Sequence, residues 1–98
     1  MTELRERATL SQASVPMLPR HVRIQFDPVR QAYAVLSPER VFWPNEISLE
    51  ILRRCDGRMT VADIVADLAV EYETDEAEVA VDVSAFLQEW SDRLLVKL

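Results

Sequence analysis

The chain holds one glycine, one histidine and one cysteine in 98 residues, and each scarcity removes a class of function. A phosphate-cradling loop needs several glycines so that backbone N–H groups can approach the anion, and Gly57 alone cannot build one. Cys55 has no second cysteine to pair with, so no internal disulfide forms, and a reducing, cytoplasmic compartment is expected. A nucleophilic thiol needs a histidine partner or an electropositive site. Asp56 beside Cys55 works against a thiolate, although Arg53, Arg54 and Arg58 are near, and the position reads as a small buried side chain. His21 has no cysteine, histidine or paired acid near it and reads as an exposed polar residue at the start of a strand. No apolar run approaches the roughly 18 residues of a membrane span. The N-terminal stretch, with Glu3, Arg5, Glu6, Arg7 and Arg20, lacks the apolar centre of a secretory signal. The acids from Asp63 to Asp82 show neither calcium-loop nor zinc spacing, so they read as helix caps and a solvated face rather than as a metal site. No enzyme chemistry, metal or cofactor is expected.

What is present suffices for one domain with a modest core, at 49% hydrophobic residues. The net charge of −6 is unevenly spread. Residues 1–45 carry six basic and four acidic groups, whereas residues 46–98 carry five basic and thirteen acidic groups.

The pattern changes at Pro44-Asn45. Residues 1–18 are polar and aperiodic and are expected as a mobile N-terminal arm, with Thr2 to Ala8 as a short helical turn. Residues 19–98 form the domain. His21 to Phe26 alternates as a half-buried strand, with Val22, Ile24 and Phe26 on one side. Asp27-Pro28-Val29-Arg30 is a turn, Ala32 to Leu36 a second strand, and Ser37-Pro38-Glu39-Arg40 a second turn. Val41-Phe42-Trp43 is a short third strand, stopped by Pro44, which has no N–H to continue a ladder. Asn45, Thr60 and Asp75 are N-caps, with Asp63 and Glu78 three residues into their helices. The first helix places Ile47, Ile51, Leu52 and Cys55 on its apolar side and stops at Asp56-Gly57. The second carries Val61, Ile64, Val65, Leu68, Ala69 and Tyr72; the third, Val79, Val83, Phe86, Leu87, Trp90 and Leu94. Leu94-Leu95-Val96 is expected to tuck back.

The fold class is therefore α+β: a three-stranded antiparallel sheet followed by a three-helix bundle, like a winged helix-turn-helix. The alternative reading is a winged-helix DNA-binding regulator. Charge argues against it, because Asp75, Glu76, Glu78, Asp82, Glu89 and Asp92 face Arg93 alone on the third helix, and phosphate contact needs Lys and Arg. The third strand is more telling. An edge strand leaves unpaired N–H and C=O groups that invite another strand, and a helix beside it would complete a groove for peptide capture.

The residues that carry this edge belong to a longer pattern. Asp27-Pro28-x-Arg30, Leu36-Ser37-Pro38-Glu39-Arg40-Val41, Asn45-Glu46, Ile51-Leu52, Cys55-Asp56-Gly57, Ile64-Val65-x-x-Leu68 and Asp82-Val83-x-x-Phe86-Leu87 occur in that order. The set resembles PqqD, the pyrroloquinoline quinone biosynthesis protein D family, over roughly residues 16–96. The resemblance implies a non-catalytic peptide chaperone that binds the ribosomal precursor peptide PqqA and presents it to PqqE, a radical S-adenosylmethionine enzyme. It also implies that the peptide lies as an added strand on the third strand, at Arg40, Val41, Phe42 and Trp43. The helix contacts would fall on exposed flanks around Val79, Asp82, Val83, Phe86 and Leu87. Two positions depart from the family. Pro44 stands where a leucine usually precedes the asparagine, and Arg93 where a glycine often precedes the last apolar pair. The free edge and the arm, with Val15 and Leu18, imply a monomer in dilute solution, and a dimer or swapped arm through that edge when no peptide is bound.

Overall fold

The computed structural model describes residues 8–98. The expected turn at Thr2 to Ala8 lies outside them except for its last residue. Strands β1 (Arg23–Asp27), β2 (Ala32–Leu36) and β3 (Val41–Phe42) precede helices α1 (Glu46–Arg53), α2 (Val61–Glu71) and α3 (Glu76–Asp92). The sheet is antiparallel throughout, in the order β1-β2-β3, with Ile24 opposite Val35 and Phe42 opposite Val35 on the other side.

Local chemistry sets each boundary. Asp27 Oδ1 accepts from the Val29 and Arg30 amides, and the turn closes through Gln31 at φ +54°. In the second hairpin the Ser37 amide donates to the Arg40 carbonyl at 3.0 Å. Asn45 Oδ1 caps α1 by accepting from the Ser48 amide at 2.8 Å, and Thr60 with Asp63 closes a full capping box on α2. Asp75 caps α3 differently from expectation. Its carboxylate takes the Ala77 amide at 2.8 Å, and Glu78 does not bond back to it, so no box forms there.

The core lies between the inner face of the sheet and the three helices. Val35, Ile51, Ile64 and Leu87 are fully enclosed within it. Ile47 and Phe26, both placed on apolar faces by their spacing, remain exposed. Phe26 sits at the outer end of the sheet and meets Tyr33 at 5.0 Å between ring centroids. α1 ends earlier than its pattern suggests, with Arg54 as C-cap, and Gly57 lies beyond it at φ +78°, a conformation that favours glycine. α1 is tied to α2 by Arg54, whose guanidinium reaches Asp67 at 2.6 Å, Glu50 at 2.8 Å and Glu71 at 3.1 Å. Desolvation disfavours that charge, but the bonds from Asp67 and Glu50 outweigh it and hold the guanidinium more firmly protonated than usual.

The left-handed residue that closes α3 is Leu94, at φ +64°. The Leu95 amide donates to the Trp90 carbonyl and the Leu94 amide to the Ser91 carbonyl, the bond pair of a Schellman motif. This turn throws Leu94 outward and sends Leu95 and Val96 into the core. Leu94 therefore leaves the apolar stripe assigned to it.

Residues 8–18 differ from the mobile arm expected of them. Pro16 is fully buried, and Met17 exchanges two backbone hydrogen bonds with Lys97, each 2.8 Å. Leu18 donates to Cys55, and Gly57 donates to Pro16. Further along, the Val61 and Ala62 amides, which open α2, donate to the Ser14 and Gln12 carbonyls. These are orphan donors at a helix start, and an extended segment satisfies them as well as a side chain would. Gln88 on α3 completes the clasp: its amide oxygen takes the Leu10 N–H at 3.0 Å, and its amide nitrogen gives to the Ala8 carbonyl at 2.9 Å. The segment is thus placed against α2, α3 and the C-terminus, and residues 8–18 do not lie on β3.

Candidate peptide-binding groove

β3 pairs only with β2 among the described residues, so its other side is an edge. The register says which backbone groups face out. Antiparallel pairs alternate between those that exchange hydrogen bonds and those that do not. Ser37 and Arg40 are bonded across the turn, so Leu36 opposite Val41 is a non-bonded pair and Val35 opposite Phe42 a bonded one. The N–H and C=O of Phe42 therefore point to β2, and those of Val41 point away from the sheet. The strand and its paired register end at Phe42; were the alternation carried one residue further, Trp43 would also direct its groups outward. Pro44 would stand opposite Tyr33 in a bonded position, where its missing N–H ends the ladder to β2. The proline thus costs an inward bond and leaves the outward groups of Val41 untouched.

Side chains divide by the same period of two. Phe42 faces inward and meets the Trp90 ring at 5.4 Å, and Trp90 in turn stacks on Phe86 at 4.9 Å. These three rings form the wall between β3 and α3. The Arg40 guanidinium lies 5.7 Å from the Phe42 ring centroid, a cation–π distance. Val41 and Trp43 turn to the opposite, outer face and are 52% and 47% exposed.

On α3, the spacing i, i+4, i+7, i+11 puts Asp82, Phe86, Glu89 and Arg93 on one stripe beside β3. Asp82 is exposed, while Val79 and Phe86 are half-buried. Val83 and Leu87 are 1% and 0% exposed and do not lie on an exposed flank. Their positions on the helix turn them toward the core, where they brace the wall from behind. Trp90, which its spacing places in the core stripe, is also the ring that joins Phe42 to Phe86. Its signal was its place one turn after Phe86 in the α3 stripe.

The groove widens at one end into a hollow of about 430 Å³, lined by His21, Arg40, Phe42, Arg93 and Leu94 among others. His21 Nε2 lies 3.3 Å from the Leu94 carbonyl. Arg40 and Arg93 share this end with Glu39, and Arg93 lies 3.9 Å from Glu89, while Glu78 and Asp82 lie toward the start of α3.

A family model described as "Coenzyme PQQ synthesis protein D (PqqD)" matches residues 32–96, from β2 to the C-terminal tuck. The chain belongs to the PqqD family. A "PqqA binding protein" of Rhodopseudomonas palustris strain TIE-1 is 49% identical over 87 residues, covering 89% of this chain and 85% of that one. Among solved structures, the PqqD truncation of Methylobacterium extorquens PqqCD, determined by solution NMR, matches with a TM-score of 0.80. Its identity is 33%, with 96% of this chain and all of that one covered. That protein is described as a functional, stand-alone recognition element for ribosomally synthesized and post-translationally modified peptides. The crystal structure of Xanthomonas campestris PqqD matches with a TM-score of 0.58 at 34% identity, covering 92% of this chain and all of that one. The sheet-then-bundle order of this chain is the PqqD fold.

Cys55, the one thiol of this PqqD chain, is buried and donates to the Ile51 carbonyl at 3.3 Å. Burial first, and Asp56 second, push its pKa up to about 12. A raised pKa favours the neutral thiol, and only the thiolate attacks. Iodoacetamide at pH 8 should therefore leave the folded protein unmodified over hours and label it fully in 6 M guanidinium chloride. Rapid native labelling, read by mass spectrometry, would contradict the burial described. Among the described residues no helix is long and apolar enough to cross a membrane, and no three His, Cys, Asp or Glu side chains are grouped to hold a metal.

Proposed function

We propose that this chain is a non-catalytic adaptor that binds the PqqA precursor peptide as a strand added to β3 and presents it to the radical S-adenosylmethionine enzyme PqqE. The observation that carries the binding step is the outward-facing backbone of Val41, set beside the wall of Phe42, Phe86 and Trp90. Main-chain hydrogen bonds supply affinity in such strand addition, and pockets for alternate side chains supply specificity. Ordering a flexible peptide is costly, so apolar contact with the wall must offset it. Arg40, Phe42, Val79, Asp82 and Phe86 line the groove; Val41 and Trp43 supply the edge; Val83 and Leu87 hold α3 in place. The R. palustris relative is called a PqqA binding protein, which supports the choice of peptide. Presentation to PqqE rests on the family resemblance. The acid-rich stripe of α3 disfavours DNA in the same groove.

A titration of ¹⁵N-labelled protein with PqqA tests the reading. The amides of Val41 and Trp43 and those near Phe86 and Trp90 should move together and saturate, with the β1 amides nearly still. Shifts confined to β1, or to the α1–α2 face around Arg54, would place the peptide elsewhere and sink the groove.

A further inference from the structure

A strand that faces solvent normally shows polar side chains there. On the outer face of this sheet β1 does so, with Arg23, Gln25 and Asp27, but β2 and β3 do not. Ala34, Leu36, Val41 and Trp43 lie on it together, with Gln25 and Pro28 at the margin, around a shallow hollow of about 300 Å³. Ala34 is only 4% exposed although, among the described residues, no helix residue lines the hollow, while Val41 and Trp43 remain about half exposed. Arg30 arches over Trp43, its guanidinium 5.0 Å from the ring centroid, and is itself neutralised by Asp27 Oδ2 at 3.1 Å. The hollow is thus apolar in floor and balanced in charge at its rim, which fits an uncharged apolar or aromatic guest.

We infer that this outer hollow is a second side-chain subsite, which takes the alternate apolar residues of the peptide strand that β3 receives. The inference rests on the proposed strand addition and deepens it. The residues whose backbones would receive the strand, Val41 and Trp43, are the same residues whose side chains line the hollow. A guest residue paired with Val41 must project to the outer face, because strand side chains alternate and paired residues share a face. Its two neighbours project to the aromatic wall. The peptide is therefore read on both sides at once, in an alternating pattern: one set of side chains against Phe42 and Phe86, the other against Trp43, Leu36 and Val41. A one-residue slip would exchange the two sets, so the second subsite fixes register as well as affinity.

The chain's two tryptophans separate the possibilities, since Trp90 lies in the groove wall and Trp43 on the outer face. In the full-length protein bound to PqqA, nuclear Overhauser contacts should run from the Trp43 ring to alternate peptide side chains. The intervening residues should contact Phe86 and Trp90. Trp43→Ala, at a half-exposed position, should fold normally by circular dichroism and weaken PqqA binding about fivefold, the scale of one lost aromatic contact. If the Val41 amide shifts and Trp90 sees the peptide, but Trp43 makes no such contacts and Trp43→Ala binds as tightly as the parent, the outer subsite is overturned and strand addition stands. If the Val41 amide does not respond at all, strand addition itself fails and takes the subsite with it.

Discussion

Val41→Pro should fold like the parent protein and lose most of its affinity for PqqA. The N–H of Val41 points away from β2, so replacing it removes no ladder bond, and proline is tolerated on the free side of an edge strand. What disappears is a donor aimed at the incoming peptide, and the ring Cδ occupies the space in which that strand would lie. A backbone hydrogen bond with its neighbour disrupted amounts to about 2–3 kcal/mol, or roughly a 30- to 150-fold weaker Kd by calorimetry. The melting temperature should stay within a few degrees. Phe42→Pro is the contrasting variant. Its N–H belongs to the Val35 pair and its ring to the Trp90 contact, so it should destabilise the fold outright. If Val41→Pro binds PqqA as the parent does, the peptide does not add to this edge.

The second large effect concerns stability. A chain begun at Pro19 should lose its cooperative thermal transition near the parent midpoint. Residues 8–18 make six backbone hydrogen bonds to the body, at Lys97, Cys55, Gly57, Val61 and Ala62. They also bury Pro16 completely and engage Gln88 twice. At about 1 kcal/mol net for each bond, against the roughly 5–15 kcal/mol that holds a domain of this size, their removal takes a large share of the margin. The exposed amides of Val61 and Ala62 would leave α2 frayed at its N-terminal end. A truncated chain melting within a few degrees of the full one would return this segment to the role of a loose arm.

The contrast between that segment and the rest shows what a sequence can and cannot convey. Asn45, Thr60 and Asp75 were legible as caps because each puts a side-chain oxygen just before an apolar stripe of helical period. β1 and β2 were legible from their alternation. Residues 8–18 carry neither signal, because they are held by backbone carbonyls that every residue possesses. The Arg54 cluster was hidden for a related reason: Asp67 and Glu71 lie in another helix and meet the arginine only after α1 and α2 pack. At the candidate site, the edge could be read from Val41-Phe42-Trp43 and the proline behind it. The division between wall and brace on α3 could not. Val79, Val83, Phe86 and Leu87 share one apolar stripe, and only the position of β3 decides that Phe86 meets the groove while Val83 and Leu87 stay beneath it.

Pro44 has a further consequence, which concerns copies of the chain rather than its guest. A protein that keeps a strand edge open for a peptide also offers it to its own β1 or β3, the route to filaments and aggregates. Here the ladder behind that edge stops after Phe42, so a second copy would find only the outward groups of Val41 before the backbone turns into α1. So short a template suits a guest that also brings side chains to the aromatic wall, and penalises one that offers backbone alone. If the peptide adds to this edge as proposed, the proline would act as a filter on partners: it would admit an extended peptide with apolar anchors and discourage sheet-to-sheet growth, at the cost of a single hydrogen bond to β2.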